Sequence, residues 1–239
     1  MGCGACVSAC PNGAISREGE LNRTRCVACG RCAALCPTGA LTLIGQTVTV
    51  DEVMDVVRRD KIFYGTKGGL TITGGEPLAQ GAFTLALARA AKAEGISVAV
   101  ETSGFGKIED ICQLVPTCDV FLFDCKADAA AHRALTGVHD TLILQNLDAI
   151  CRRGARVVLR CPVVTGANFE ESFLKKIIDL ATRYVEIEAV QLMPYHATGC
   201  EKPVPLGFTA QPTFAAPDAA TLEALTSRIT RESGKKAFC

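Results

Sequence analysis

The chain has 239 residues, room for one large domain or for a small domain beside a medium one. Its residues are 49% hydrophobic and 21% charged, a globular composition that excludes extensive disorder. Twenty-five basic residues balance 25 acidic ones, and no apolar run approaches the ~18 residues of a membrane span, so neither a nucleic acid nor a membrane partner is expected. Gly2 and Cys3 follow Met1 where a leader would place charge and then an apolar block, and the expected location is the cytoplasm.

The first element is a run of cysteines. Cys26, Cys29, Cys32 and Cys36, followed by Pro37, have the C-x2-C-x2-C-x3-C-P spacing by which bacterial ferredoxins hold cubanes. In that arrangement three thiolates take corners of one cluster and the fourth crosses to its neighbour. Cys3, Cys6 and Cys10, followed by Pro11, repeat the last three members, with the first falling just ahead of Met1. C-P-N-G-A-I at 10–15 also matches C-P-T-G-A-L at 36–41, the mark of an internal duplication. Crossed ligation assigns Cys26, Cys29, Cys32 and Cys10 to one [4Fe-4S] cluster, and Cys3, Cys6, Cys36 and an absent ligand to the other. Paired C-x2-C also binds zinc, but zinc ribbons separate their pairs by a longer hairpin, and triplets ending in x3-C-P favour cubanes. Residues 1–45 are therefore expected to form a two-cluster ferredoxin-like domain. The other seven cysteines are scattered, which argues for a reducing compartment over a disulfide framework.

Residues 46–239 read as an α/β body. Helices are expected at 53–60, 78–94, 108–115, 141–153, 171–183 and 219–231, with strands between them at 70–73, 97–102, 120–126, 156–164 and 187–193. Such alternation implies parallel βαβ units with chemistry at the carboxyl ends of the strands. The first strand runs into Thr73-Gly74-Gly75-Glu76-Pro77, where paired glycines let a ligand approach the backbone and Glu76 can accept from an ammonium group. Period two puts Asp124 and Lys126 on one face of the third strand. Arg160 ends the apolar part of the next, and His196 follows the last. Taken singly these are a turn, an ion pair and a packing histidine; gathered at one mouth they are hard to explain as core. His132 and His139 read as surface positions near a loop.

With these motifs the chain resembles the activating enzymes of glycyl-radical enzymes, in the radical S-adenosylmethionine superfamily. The resemblance rests on the cysteine run, then on Gly68-Gly69-Leu70-Thr71-Ile72-Thr73-Gly74-Gly75-Glu76-Pro77-Leu78, Glu101-Thr102-Ser103-Gly104, Asp124-Cys125-Lys126, Leu135-Thr136-Gly137, Ile143-Leu144-Gln145-Asn146-Leu147, Arg160-Cys161-Pro162-Val163-Val164 and Met193-Pro194-Tyr195-His196. It implies a partial parallel (β/α)6 barrel missing its first strand. It also implies an S-adenosylmethionine site in which Gly74, Gly75 and Glu76 hold the methionyl end and Asp124 and Lys126 the polar groups. Thr102 and Ser103 would line the mouth, His196 would sit near the ribose or adenine, and Thr73 and Arg160 would complete the set. The implied activity is reductive cleavage of S-adenosylmethionine to a 5′-deoxyadenosyl radical that takes hydrogen from a glycine of a partner glycyl-radical enzyme, with flavodoxin or ferredoxin as reductant.

The sequence departs from the family at one place. The family's catalytic cluster needs a C-x3-C-x2-C triplet ahead of the ferredoxin segment. Cys6-x3-Cys10 and Cys32-x3-Cys36 have its first spacing, but Gly13 and Gly39 stand where its third cysteine belongs. A truncated chain is therefore expected, with no catalytic cluster ligand, a third cluster only in a longer form, and no activity as written. An alternative is an iron-sulfur electron-transfer module carried on a catalytically dead barrel; a radical enzyme acting on a small molecule fits the cysteine segment less well.

Overall fold

The computed structural model describes residues 2–66, 68–197 and 213–239, so Cys200, one of the scattered cysteines, lies outside the described residues. The chain divides into two compact units, Met1–Thr47 and Val48–Cys239.

In the first unit the sequence duplication is a backbone duplication. Helix α1 (Ala5–Ala9) starts after Gly4 at φ 71° and carries Cys6, and helix α2 (Arg31–Ala34) starts after Gly30 at φ 76° and carries Cys32. Past each helix the Cys-Pro turn closes identically: the Gly13 N–H donates to the Cys10 carbonyl and the Gly39 N–H to the Cys36 carbonyl, both at 3.3 Å. Ile15 and Leu21 form a short antiparallel bridge. Among the described residues of this unit only Ala14 and Ile15 are buried hydrophobics.

The second unit opens with helix α3 (Val50–Asp60), which has a reciprocal cap. The Thr49 hydroxyl accepts from the Glu52 N–H at 3.2 Å, and the Glu52 carboxylate accepts from the Thr49 N–H at 2.7 Å. That cap starts the helix ahead of the expected residue 53. There follow β1 (Gly69–Ile72), α4 (Gly81–Ala93), β2 (Ser97–Thr102), α5 (Ile108–Leu114), β3 (Val120–Asp124), α6 (Ala129–Thr136), α7 (Thr141–Cys151), β4 (Val157–Val163), α8 (Glu171–Arg183), β5 (Ile187–Pro194), α9 (Ala219–Ser233) and β6 (Lys236–Phe238). The strands form one six-stranded parallel sheet in chain order, each neighbour reached through a helical crossover.

Period two sorts the sheet into two faces. Register pairs Val100 with Phe121, Phe123 with Leu159 and Cys161 with Leu192, and all six side chains are buried. This face packs against Leu85 and Ala88 of α4, Ile111 of α5, Leu147 and Ile150 of α7, and Phe173 and Ile177 of α8 in one core. The opposite face carries Ala99, Glu101, Leu122, Asp124, Val158, Arg160, Gln191 and Met193, all partly exposed.

Two elements lie beyond the sequence expectation. The short α6 runs from Asp128, whose Oδ1 accepts from the Ala131 N–H at 2.9 Å, to Gly137 at φ 79°. It corrects the reading of His132, which sits on α6 at 4% exposure with Nδ1 3.1 Å from the Val138 carbonyl oxygen; His139 is exposed. The three residues of β6 owe their strand to pairing with β5. The third strand ends at Asp124, short of the expected residue 126.

Candidate functional site

Glu76 organises the carboxyl ends of the first two strands. Its Oε1 accepts from the Leu78 N–H at 3.1 Å and the Thr102 hydroxyl at 2.5 Å; its Oε2 accepts from the Ser103 N–H at 2.9 Å and the Ser103 hydroxyl at 2.5 Å. Four donors meet the roughly four lone-pair sites of a carboxylate, and hydrogen bonds to an ionised acceptor are the stronger kind. The chain between, Thr73 to Gly75, is exposed, and Gly74 has φ 148°, which a side chain adopts only under strain. No atom lies within 4 Å of a Cβ built on Gly74 or Gly75. A clamped carboxylate thus presents an open stretch of backbone.

The next two strands carry charge on the partly exposed face. Lys126 Nζ donates to Asp124 Oδ2 at 2.9 Å, while Asp124 Oδ1 is buried with no hydrogen-bond partner. A buried acceptor left unmet costs about 1–3 kcal/mol, so this corner suits a ligand that brings a donor. Arg160 lies within β4, level with Asp124 in the register. Its Nη1 contacts Glu101 Oε1 at 2.7 Å, and its Nε and Nη2 are turned to the Met193 sulfur at 3.2 and 2.8 Å, a weak acceptor for a guanidinium. The structure therefore joins Glu76 with Thr102 and Ser103, Asp124 with Lys126, and Arg160 with Glu101 and Met193. His196 is exposed beyond the end of β5.

Glu101 and Met193 were within reach of sequence reasoning. Counting by twos from buried Thr102 puts Glu101 on the face of Asp124 and Arg160. Sequence inspection passes over it because Glu101 adjoins the Thr102-Ser103 pair that carries the motif.

The first unit is suited to clusters. Cys3, Cys6 and Cys36, the three thiols assigned to one cluster, line a single cavity of about 300 Å³ together with Ser16, Glu18 and Thr38. Backbone N–H groups point at the sulfurs, as thiolate ligands require: Ala14 donates to Cys10 at 3.2 Å and Ala28 to Cys26 at 3.4 Å. Hydrogen bonds from the Leu41 backbone and from Thr38 lower the Cys36 thiol to about 7, and the Ala14 N–H likewise lowers Cys10. All seven cysteines of this segment are free thiols. Among the described residues no three His, Cys, Asp or Glu side chains converge on a single ion.

A parallel α/β sheet with a polar carboxyl edge, in one chain with a cysteine segment suited to cubanes, defines a radical S-adenosylmethionine type of protein. The Radical SAM superfamily model matches residues 24–177, and the 4Fe-4S dicluster domain model matches residues 1–40. The choline trimethylamine-lyase activating enzyme of Oleidesulfovibrio alaskensis is 36% identical over 217 residues, which cover 86% of this chain and 70% of that protein. The (2S)-3-sulfopropanediol sulfolyase activating enzyme of Bilophila wadsworthia is 41% identical over 207 residues, 84% of this chain and 68% of that one. In fold, the chain is similar to a domain of pyruvate-formate lyase-activating enzyme from Bacteroides vulgatus, with TM-score 0.60 and 24% identity over 71% of this chain and 97% of that one. The chain belongs to the radical SAM superfamily and, within it, to the activating enzymes of glycyl-radical enzymes. The family cleaves S-adenosylmethionine reductively and generates a radical on a glycine of a partner enzyme. Among the described residues no helix is long and apolar enough to cross a membrane.

Proposed function

We propose that the carboxyl edge from Thr73 to Lys126, with Arg160 and His196, holds S-adenosylmethionine, and that two clusters on Cys3, Cys6 and Cys36 and on Cys10, Cys26, Cys29 and Cys32 relay electrons toward it. The partner is a glycyl-radical enzyme, the reductant a flavodoxin or ferredoxin, and the setting the cytoplasm. The observation that carries the reading is the buried, unpaired Asp124 Oδ1 beside Lys126, at the same edge as the open Gly74-Gly75 backbone.

In this reading each of the chain's own groups has a task. The Gly74-Gly75 backbone lies against the methionyl end, held in place by the Glu76 clamp. Asp124 Oδ1 accepts from a ligand donor, and Lys126 meets a ligand acceptor without leaving Asp124 uncompensated. Arg160, which has only a thioether for two of its donors, has capacity for a ligand oxygen. When bound, the clusters supply single electrons and S-adenosylmethionine supplies the hydrogen-abstracting group. The cleavage itself calls for the C-x3-C-x2-C triplet, which the 239 residues do not contain.

Equilibrium titration of S-adenosylmethionine into the cluster-reconstituted chain tests the site. Saturable binding, weakened about tenfold or more in Asp124→Asn through loss of a charge-assisted bond, is expected. A folded chain that binds none would leave the electron-carrier alternative in its place.

A further inference from the structure

Two side chains behind the polar edge have no part in the chemistry above. Asn146 of α7 is fully buried and donates both amide hydrogens to a turn after β2, to the Gly104 carbonyl at 2.7 Å and the Gly106 carbonyl at 2.9 Å. Its own Oδ1 is buried without a partner. An apolar residue would avoid that orphan, so the amide is explained by what its two donors hold.

The turn they hold is tightly enclosed. A Cβ on Gly104 would lie 2.4 Å from the Phe123 ring, and one on Gly106 would lie 2.4 Å from Leu78 Cβ. From it a continuous chain of hydrogen bonds runs to the glycine pair: the Gly104 N–H donates to the Thr102 hydroxyl at 2.9 Å, which donates to Glu76. Asn168, 3% exposed, does the same for the other half of the edge. Its Nδ2 donates to the Lys126 carbonyl and to the Pro162 carbonyl at 2.8 Å, and its Oδ1 accepts from the Val164 N–H at 2.8 Å. The backbone of Lys126 is thereby tied to the end of β4.

We propose that Asn146 and Asn168 are positioning residues for S-adenosylmethionine, one setting the Glu76-Ser103 half of the pocket and the other the Lys126 half. The inference rests on the binding site of the preceding section. Asn146 carries the larger share, because the loop after Lys126 has a second brace, Lys176 Nζ donating to the Ala127 carbonyl at 3.0 Å.

The test compares S-adenosylmethionine affinity in the cluster-reconstituted full chain, in Asn146→Leu, in Asn168→Leu and in Ile229→Ala. The last substitution empties a core position on α9 that takes no part in the edge. Asn146→Leu is expected to weaken binding about tenfold, the size of one lost buried hydrogen bond. It should also speed exchange of the Ser103 and Gly104 amides. Asn168→Leu should weaken binding less, and Ile229→Ala should lower Tm with affinity unchanged. If Asn146→Leu does not fold, Asn146→Ser removes the same donors with less crowding. Affinity in the asparagine variants within about twofold of the parent, or an equal loss in Ile229→Ala, overturns the positioning role while leaving the site intact. Failure of the parent chain itself to bind overturns the site reading, and this inference with it.

Discussion

The two units of the chain hold themselves together by different physics. In Met1–Thr47 only two described hydrophobic side chains are buried, and the geometry that repeats is the placing of thiols. In Val48–Cys239 a continuous apolar face of the sheet is covered by helices, with Phe121, Leu147, Leu159 and Ile177 all at 1% exposure or less. A segment of about 47 residues cannot bury enough apolar surface to offset its chain entropy. Cluster ligation must supply what the core does not, whereas the sheet unit stands on hydrophobic burial.

The largest effect that could break this contrast is removal of iron. Anaerobic chelation is expected to unfold the cysteine unit, seen as proteolytic cleavage within residues 1–47, while the Tm of the sheet unit stays put; a protected iron-free segment would contradict the contrast. Next, Phe121→Ala empties a fully buried position and should cost about 3–5 kcal/mol in denaturant unfolding of the sheet unit. A cost near that of an exposed site would show that the core is not where its stability lies. Thr49→Ala removes one half of the α3 cap and should cost about 1 kcal/mol, with Thr49→Ser close to neutral.

The smallest effect concerns thiol titration. With Cys36 at about 7 against an ordinary value of 9.0, its thiolate forms near neutrality only while the Leu41 and Thr38 hydrogen bonds of the folded unit are in place. In the iron-free, unfolded segment alkylation of Cys36 should rise with pH through the ordinary 9.0, while Cys118, pushed up to about 12 by burial in the sheet unit, stays unlabelled at pH 8. For stability the sign is that of a depressed acid. Where the metal-free unit is folded, the Cys36 contribution is fully present above 9.0 and is lost as pH falls through about 7. A Cys36 labelling midpoint near 7 in the iron-free chain would show that the segment stays folded without metal.

Much of this was legible because periodicity reports burial. Residues 97–102 and 171–183 form the expected strand and helix to the residue, each having one buried face to reveal it. Elements defined by a partner were not legible: Lys236–Phe238 is too short to show alternation and becomes a strand through β5. Helix α6 had its signals, Asp128 before it and Gly137 after it, but only eight residues between them. At the site, the types of Glu76, Asp124 and Lys126 could be read from sequence, whereas the Glu76 clamp could not. Its four donors come from two stretches some 25 residues apart, and only the β1–β2 register brings them together.

The open face of the sheet keeps its charges as couples, Arg160 with Glu101 and Lys126 with Asp124. An incoming zwitterion can change places within such couples: its cation takes a carboxylate, its anion takes the released base, and no resident is stranded. Admission to the proposed site then resembles a partner swap in a dance already under way.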